Sequence, residues 1–279
     1  MTKHVLTGFD SAWTLNNCGA IVSLVAEDGR RQLNGPERAD FRQALLHIEQ
    51  VGQGAANHVV AIDQPLVVKN KTGSRPVEQA VSSLMGKFHS GVQPANLGNV
   101  RMFGNGAPVS CFLEALERLG YRHVRLPDDW DAADGRLYFE VYPALGNLGL
   151  FPNFYERVPR SVPKYNPMRR KTFRPEDWCL LCDEVSRFLE ARRVRCDWLS
   201  ATSVVKKTPQ KADQDKVDAL ICLCHAISWA ERAHLVVVGD LDTGYMVVPT
   251  HNDIANDLQT DAASKRVGFW SSDSSLLKT

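Results

Sequence analysis

Three apolar stretches of this chain each run into a carboxylate. They read VLTGFD ending at Asp10, HVVAID ending at Asp63 and RLYFE ending at Glu140. A fourth acid, Asp218, opens the apolar helical stretch VDALICLCHA. Short apolar runs bounded by turn residues read as buried strands. An acid at the end of such a strand needs a partner once it leaves water. Three strand-end carboxylates and one helix carboxylate can converge on a single point, where they would repel one another unless cations sat among them. Hard divalent ions such as Mg²⁺ and Mn²⁺ prefer oxygen ligands. The chemistry such a cluster suits is phosphodiester hydrolysis by a two-metal mechanism.

Each acid also has a plainer explanation. Asp10 precedes Ser11 and could make an Asx-type turn. Asp63 precedes Gln64 and Pro65, and a proline cannot continue the ladder. Glu140 lies inside a strand and could be one polar side of it. Asp213, Asp215 and Asp218 could enrich a helix N-terminal turn in acids. Asp215 and Asp218 are neighbours on the helix surface, where like charges are mildly unfavourable. The four sites gain weight only together, in a mixed sheet with one late helix.

The bulk properties bound the answer. The chain has 279 residues, 44% of them hydrophobic, enough for one large α/β domain with an insertion. The net charge of +1 makes it no polycation, so any nucleic-acid binding must come from local basic patches. Seven cysteines, an odd number, argue against a disulfide framework. No stretch approaches a membrane span, and the N-terminal MTKHVLTGFD has no signal-peptide core. The expectation is a cytoplasmic protein with no membrane partner.

Along the chain, strands are expected at 4–10, 18–26, about 31–33, 58–63 and 137–142. Helices are expected from near Pro36 to Val51, at 76–86, 108–120, 175–193 and 209–233. Thr208 would cap the last of these, with Pro209 in its first turn. LVVVGDLDTGYMVVPT reads as a hairpin, followed by a polar tail from about His251. The expected order opens β-β-β-α-β. The long 64–105 segment breaks the pattern, as a functional loop or insertion would. Domain bounds follow as 1–255, with an insertion at about 64–135, and a tail at 256–279.

Two segments are basic. The 64–105 region holds Lys69, Lys71, Arg75, Lys87 and Arg101 against Glu78 alone, with His89 a further phosphate donor or general base. The run KYNPMRRKTFR holds Lys164, Arg169, Arg170 and Lys171. Tyr165 and Phe173, interleaved there, could stack on bases. Both runs follow an acid-bearing strand, and a nucleic-acid backbone is the natural ligand for such a rim. Cys179 and Cys182 form half a zinc pattern but fall in a helical stretch, where buried cysteines pack as small apolar groups. No P-loop, dinucleotide-binding fingerprint or nucleophile elbow is present.

The segments GFDSA, VVAIDQPL, SRPVEQAVSSLMG, FHSGVQPAN, FEVYPA, KYNP with RRKTF, and KADQDKVDALIC together resemble the domain of unknown function 429 family over roughly 4–250. That family is regarded as predicted nucleases of the ribonuclease-H-like fold. The resemblance implies a mixed β-sheet flanked by helices, with an insertion after the fourth strand, and a Mg²⁺- or Mn²⁺-dependent nuclease. By position, Asp10 corresponds to the shared first-strand ligand and Asp218 to the late-helix acid. Asp63 and Glu140 compete for the middle role, and Asp215 stands beside them as a further ligand. Nucleic acid, DNA or RNA, is the implied partner. A homodimer is also allowed, since resolvases of that superfamily dimerise. Two rival readings remain. One is a phosphotransferase of the actin-like superfamily, disfavoured by the glycine-poor DSAWTLNNCG loop. The other is a nucleic-acid-binding protein without catalysis.

Overall fold

The apolar runs become the centre of one sheet. The computed structural model describes residues 2–130, 135–202 and 209–273. Strand β1 (Lys3–Asp10) pairs with β2 (Gly19–Glu27), and β2 with β3 (Arg30–Ala39), both antiparallel. Helix α1 (Phe41–Gly52) follows, then β4 (Ala55–Asp63), parallel to β1. The stretch after β4 carries α2 (Pro76–Lys87), α3 (Val100–Phe103), α4 (Pro108–Arg118) and the two-residue β5 (Arg122–His123). Strand β6 (Gly135–Glu140) then pairs parallel to β4 and β5. The result is a mixed six-stranded sheet ordered β3-β2-β1-β4-β6-β5.

Helices cover both faces. On one, Phe9, Val60, Ile62 and Tyr138 pack against α1 and α4 through Phe41, Ile48, Phe112 and Leu116. The other face receives α9 (Lys211–Ala230), which follows α5 (Pro143–Leu150), α6 (Pro152–Glu156), α7 (Pro175–Glu190) and α8 (Asp197–Thr202). Helix α9 is buried on nearly every side from Val217 to Trp229, as a helix between layers must be. A smaller antiparallel sheet, β8-β7-β9, comes from β7 (Leu235–Asp240), β8 (Gly244–Pro249) and β9 (Phe269–Ser271). Helix α10 (Asn252–Lys265) connects its last two strands.

Gly8 sets the depth of α9. A Cβ at that position would lie 2.2 Å from both the Ala219 carbonyl oxygen and the Leu223 nitrogen. Both obstacles are backbone, so neither can rotate away. Gly8→Ala is expected to lower the unfolding free energy by about 3 kcal/mol, read by urea denaturation. A variant as stable as the parent would show that α9 can lift off β1 at little cost.

Three expectations are corrected. The helix near Pro36 starts later: Pro36 lies within β3, and α1 begins at Phe41 behind Asp40. The Asp40 carboxylate accepts from the Gln43 amide, and the Gln43 side chain accepts from the Asp40 amide, a reciprocal cap. The polar tail from His251 is folded over much of its length. Ile254, Ala255, Leu258 and Ala262 of α10 are buried, and β9 pairs with β7. Helix α9 is capped by Gln210, whereas the expected cap, Thr208, lies outside the described residues. No helix among the described residues is long and apolar enough to cross a membrane.

Candidate functional site

Parallel strands end at one edge of a sheet, so their terminal residues become neighbours. Asp10 and Asp63 are register partners at the ends of β1 and β4, about 4.8 Å apart by the spacing of paired strands. Both share strand parity with residues facing α9: Gly8 on β1 and Ala61 on β4. Gly8 lets α9 approach closely, which carries Asp218 to the same place.

The electrostatics tie the three acids together. Burial pushes the Asp10 carboxyl well above its ordinary range, and Asp218, Asp63 and Asp215 push it further. Asp63 is raised by burial, then by Asp218 and Glu140. Asp218 is raised by burial to about 6, although hydrogen bonds hold it back. Those bonds come from the Tyr165 hydroxyl to Oδ1 at 2.5 Å and from Gln214 Nε2 to Oδ2 at 2.9 Å. Lys211, one turn before Asp215 and bonded to it, lowers all three acids. As they stand, no three His, Cys, Asp or Glu side chains among the described residues form a ready ligand set. The site is instead a cluster of mutually destabilised carboxylates with one ammonium at its edge.

Glu140 belongs to a different arrangement. Along β6, Leu137 and Phe139 face α9 while Tyr138 packs toward α1 and α4. Glu140 follows the parity of Tyr138. Its carboxylate is taken by Arg75, with Nη2 to Oε1 at 2.6 Å and Nη1 to Oε2 at 2.9 Å, and by the Leu66 amide at 2.9 Å. Arg75 Nε also donates to Glu78 at 2.7 Å. The guanidinium is wholly buried, so the expected role of Arg75 in phosphate contact is corrected: its charge is spent inside the protein. Tyr165 is corrected likewise, because its ring is buried and its hydroxyl serves Asp218.

The remaining basic residues stay at the surface. Lys69, Lys71, Arg169, Arg170 and Lys171 are exposed, and Lys69 Nζ is 3.9 Å from Asp242. Lys87 pairs with Asp257 of α10 at 2.9 Å. Lys164 Nζ donates to the His89 carbonyl at 2.6 Å, which ties the two basic segments together. The exposed His89 has φ 52°. Lys206 and Lys207, which precede α9 in the sequence and, with Lys211 at its start, read as phosphate contacts or linker charges, lie outside the described residues. The cysteines are free, with Cys182, Cys196, Cys222 and Cys224 buried.

Beside Asp63 opens a cleft of about 450 Å³, lined among others by Trp13, Gln64, Tyr142 and Arg169, with Glu140 and Arg75 also on its wall. Sequence reading missed Gln214, Gln64 and Trp13 as site residues, and took Lys211 for a phosphate contact or a linker charge rather than the partner of Asp215. Only Gln64 and Gln214 carried any signal, by standing one residue and four residues from an acid. Another cavity, of about 380 Å³, opens by His4, Asn57 and Gly135 at the starts of β1, β4 and β6, and none of these acids lines it.

Fold and site define an α/β protein with a carboxylate cluster where two parallel strands end against a buried helix. The sequence model of the family described as Protein of unknown function (DUF429) matches residues 8–243, and the chain belongs to that family. No curated protein and no solved structure matches the chain.

Proposed function

We propose that this chain is a divalent-metal-dependent nuclease on a ribonuclease-H-like sheet. The observation that carries the reading is the meeting of Asp10, Asp63 and Asp218, in which Asp63 and Asp218 raise the Asp10 carboxyl and Asp218 raises that of Asp63. Like charges gathered where little water reaches them are costly, and a cation is the simplest compensation. The β-β-β-α-β order, with β4 parallel to β1, supports the fold part of the reading.

The donor set is all oxygen, which fits Mg²⁺ or Mn²⁺. Asp10, Asp63 and Asp218 would hold the metal, with Asp215 next to them but paired to Lys211. When bound, the metal would supply Lewis-acid polarisation of a phosphate and make water more acidic. The chain's own residues do the rest. Tyr165 and Gln214 fix the Asp218 carboxylate in orientation. Arg169, exposed at the cleft rim, draws in a phosphate backbone. Arg75 holds the Glu140 carboxylate in a two-point ion pair, although its charge still reaches Asp63.

The test is cleavage of labelled DNA and RNA oligonucleotides, single-stranded and duplex, with Mg²⁺ or Mn²⁺ and with EDTA. The expected result is cleavage only with metal, and none by Asp10→Asn. Equal cleavage by that variant overturns the assignment. Binding that persists in EDTA with no cleavage under either metal favours the non-catalytic alternative instead.

A further inference from the structure

We propose that the cleft beside Asp63 seats one unpaired nucleotide with its base stacked on Trp13, so that the substrate is a single strand. The proposal rests on the nucleic-acid part of the function above, but not on catalysis. A cleft of about 450 Å³ is within the range of pockets that enclose small ligands. A base inside a duplex is stacked and paired, and cannot enter such a pocket unless it is extruded.

Three features of the cleft point to a nucleotide. Trp13 has φ 58°, a left-handed backbone that bulky residues avoid unless their surroundings impose it. The strained turn delivers an indole to the cleft wall. Phe103 steadies it edge-to-face, with centroids 6.1 Å apart at 70°, and such a contact takes up at most one face of the ring. Stacking on an aromatic face is how single strands are held without regard to sequence. Gln64 supplies the second feature. Its side chain is 1% exposed, its Oε1 accepts from Ser11 Oγ, and its Nε2 has no partner. A buried donor without an acceptor is unfavourable, and a turn of the side chain toward the cleft it lines would offer that donor to a base or phosphate oxygen. The third is charge. Arg75 is consumed by Glu140 and Glu78, which leaves Arg169 as the cation on this wall placed for a phosphate. Tyr142 adds a second ring, held by its hydroxyl's bond to the Gly91 carbonyl at 3.0 Å.

The experiment uses the Asp10→Asn protein, so that binding is read without cleavage. Fluorescence anisotropy compares a labelled single strand with a blunt duplex of equal length, each as DNA and as RNA. The expected result is single-strand binding at least tenfold tighter than duplex binding. Trp13→Ala should weaken it about tenfold, while Trp13→Phe keeps most of it. Should Trp13→Ala not fold, Gln64→Met reports on the same cleft and should also weaken single-strand binding. The DNA and RNA arms identify the sugar. Duplex binding as tight as single-strand binding, no binding at all, or Trp13 and Gln64 variants that bind like the parent would overturn the proposal. Single-strand preference with no cleavage by the parent protein would leave it standing and sink the nuclease reading. Cleavage without single-strand preference would do the reverse.

Discussion

Replacing Asp10 by asparagine is expected to stabilise the metal-free protein at neutral pH and end its response to divalent ions. Asp10, Asp63 and Asp218 all have folded-state pKa values above those of an unfolded chain. Below about pH 4 the acids are protonated folded or unfolded, and the cluster costs nothing. As pH rises past 4, the unfolded chain loses these protons while the folded chain keeps them. Unfolding then releases protons, so stability falls with pH. For Asp218 the fall is complete near pH 6, where it ionises in the fold. Asp10 and Asp63, raised by burial and by their acidic neighbours, add to the fall. One carboxyl held at about 6 instead of about 4 costs on the order of 3 kcal/mol at neutral pH. Asp10→Asn removes one charge from all the repulsions at once. Its gain over the parent should be near zero at pH 4 and about 2 kcal/mol at pH 7, or roughly 5 °C in melting temperature for a chain of this size. Mn²⁺ at a hundred times its Kd should stabilise the parent by about 2.7 kcal/mol and the variant hardly at all. Thermal melts at both pH values, with and without Mn²⁺, read all four quantities. A variant that is less stable than the parent at pH 7, or one that still responds to Mn²⁺, would show that the cluster is not a cation site held against its own repulsion.

The sequence showed the central strands because burial on both faces leaves continuous apolar runs, and β1, β2, β4 and β6 all have them. It misjudged β3, an edge strand. There Pro36 costs no ladder bond that the sheet needs, so a residue that reads as a helix start sits within a strand. The Asp40 and Gln43 cap was in plain view as a local pattern. Helix α10 was hidden by composition, since four buried apolar residues hold it among Asn, Asp, Gln and Lys. For the site, Asp10 and Asp218 were visible as acids beside apolar runs. The different surroundings of Asp63 and Glu140 were not, because they depend on strand parity and on an arginine 65 positions away from Glu140. Trp13 and Gln64 depend on tertiary contacts that no local pattern announces.

Removing that arginine is the most disruptive single change the site predicts. Arg75 is a lone cation between two buried carboxylates, Glu140 and Glu78. Both acids also take backbone amides, Leu66 for Glu140, and Arg75 and Ala95 for Glu78. The triad therefore holds the loop after β4 and the start of α2 in place. Arg75→Met leaves both carboxylates in a dry interior with no counter-charge, a loss of about 3–5 kcal/mol. Adding Glu140→Gln removes one stranded charge and should recover part of that loss, which is the mark of direct coupling. Urea denaturation of the two single variants and the double reads the cycle, and additive losses would mean the triad is not a unit. The same variants decide the middle ligand. Glu140→Gln should keep the response to Mn²⁺, because Arg75 already occupies that carboxylate. Asp63→Asn should lose it, because Asp63 shares the strand-end site with Asp10 and Asp218 and the nearby Lys211 is paired to Asp215. The opposite pattern would mean that Arg75 releases Glu140 to the metal and that Asp63 is only a bystander.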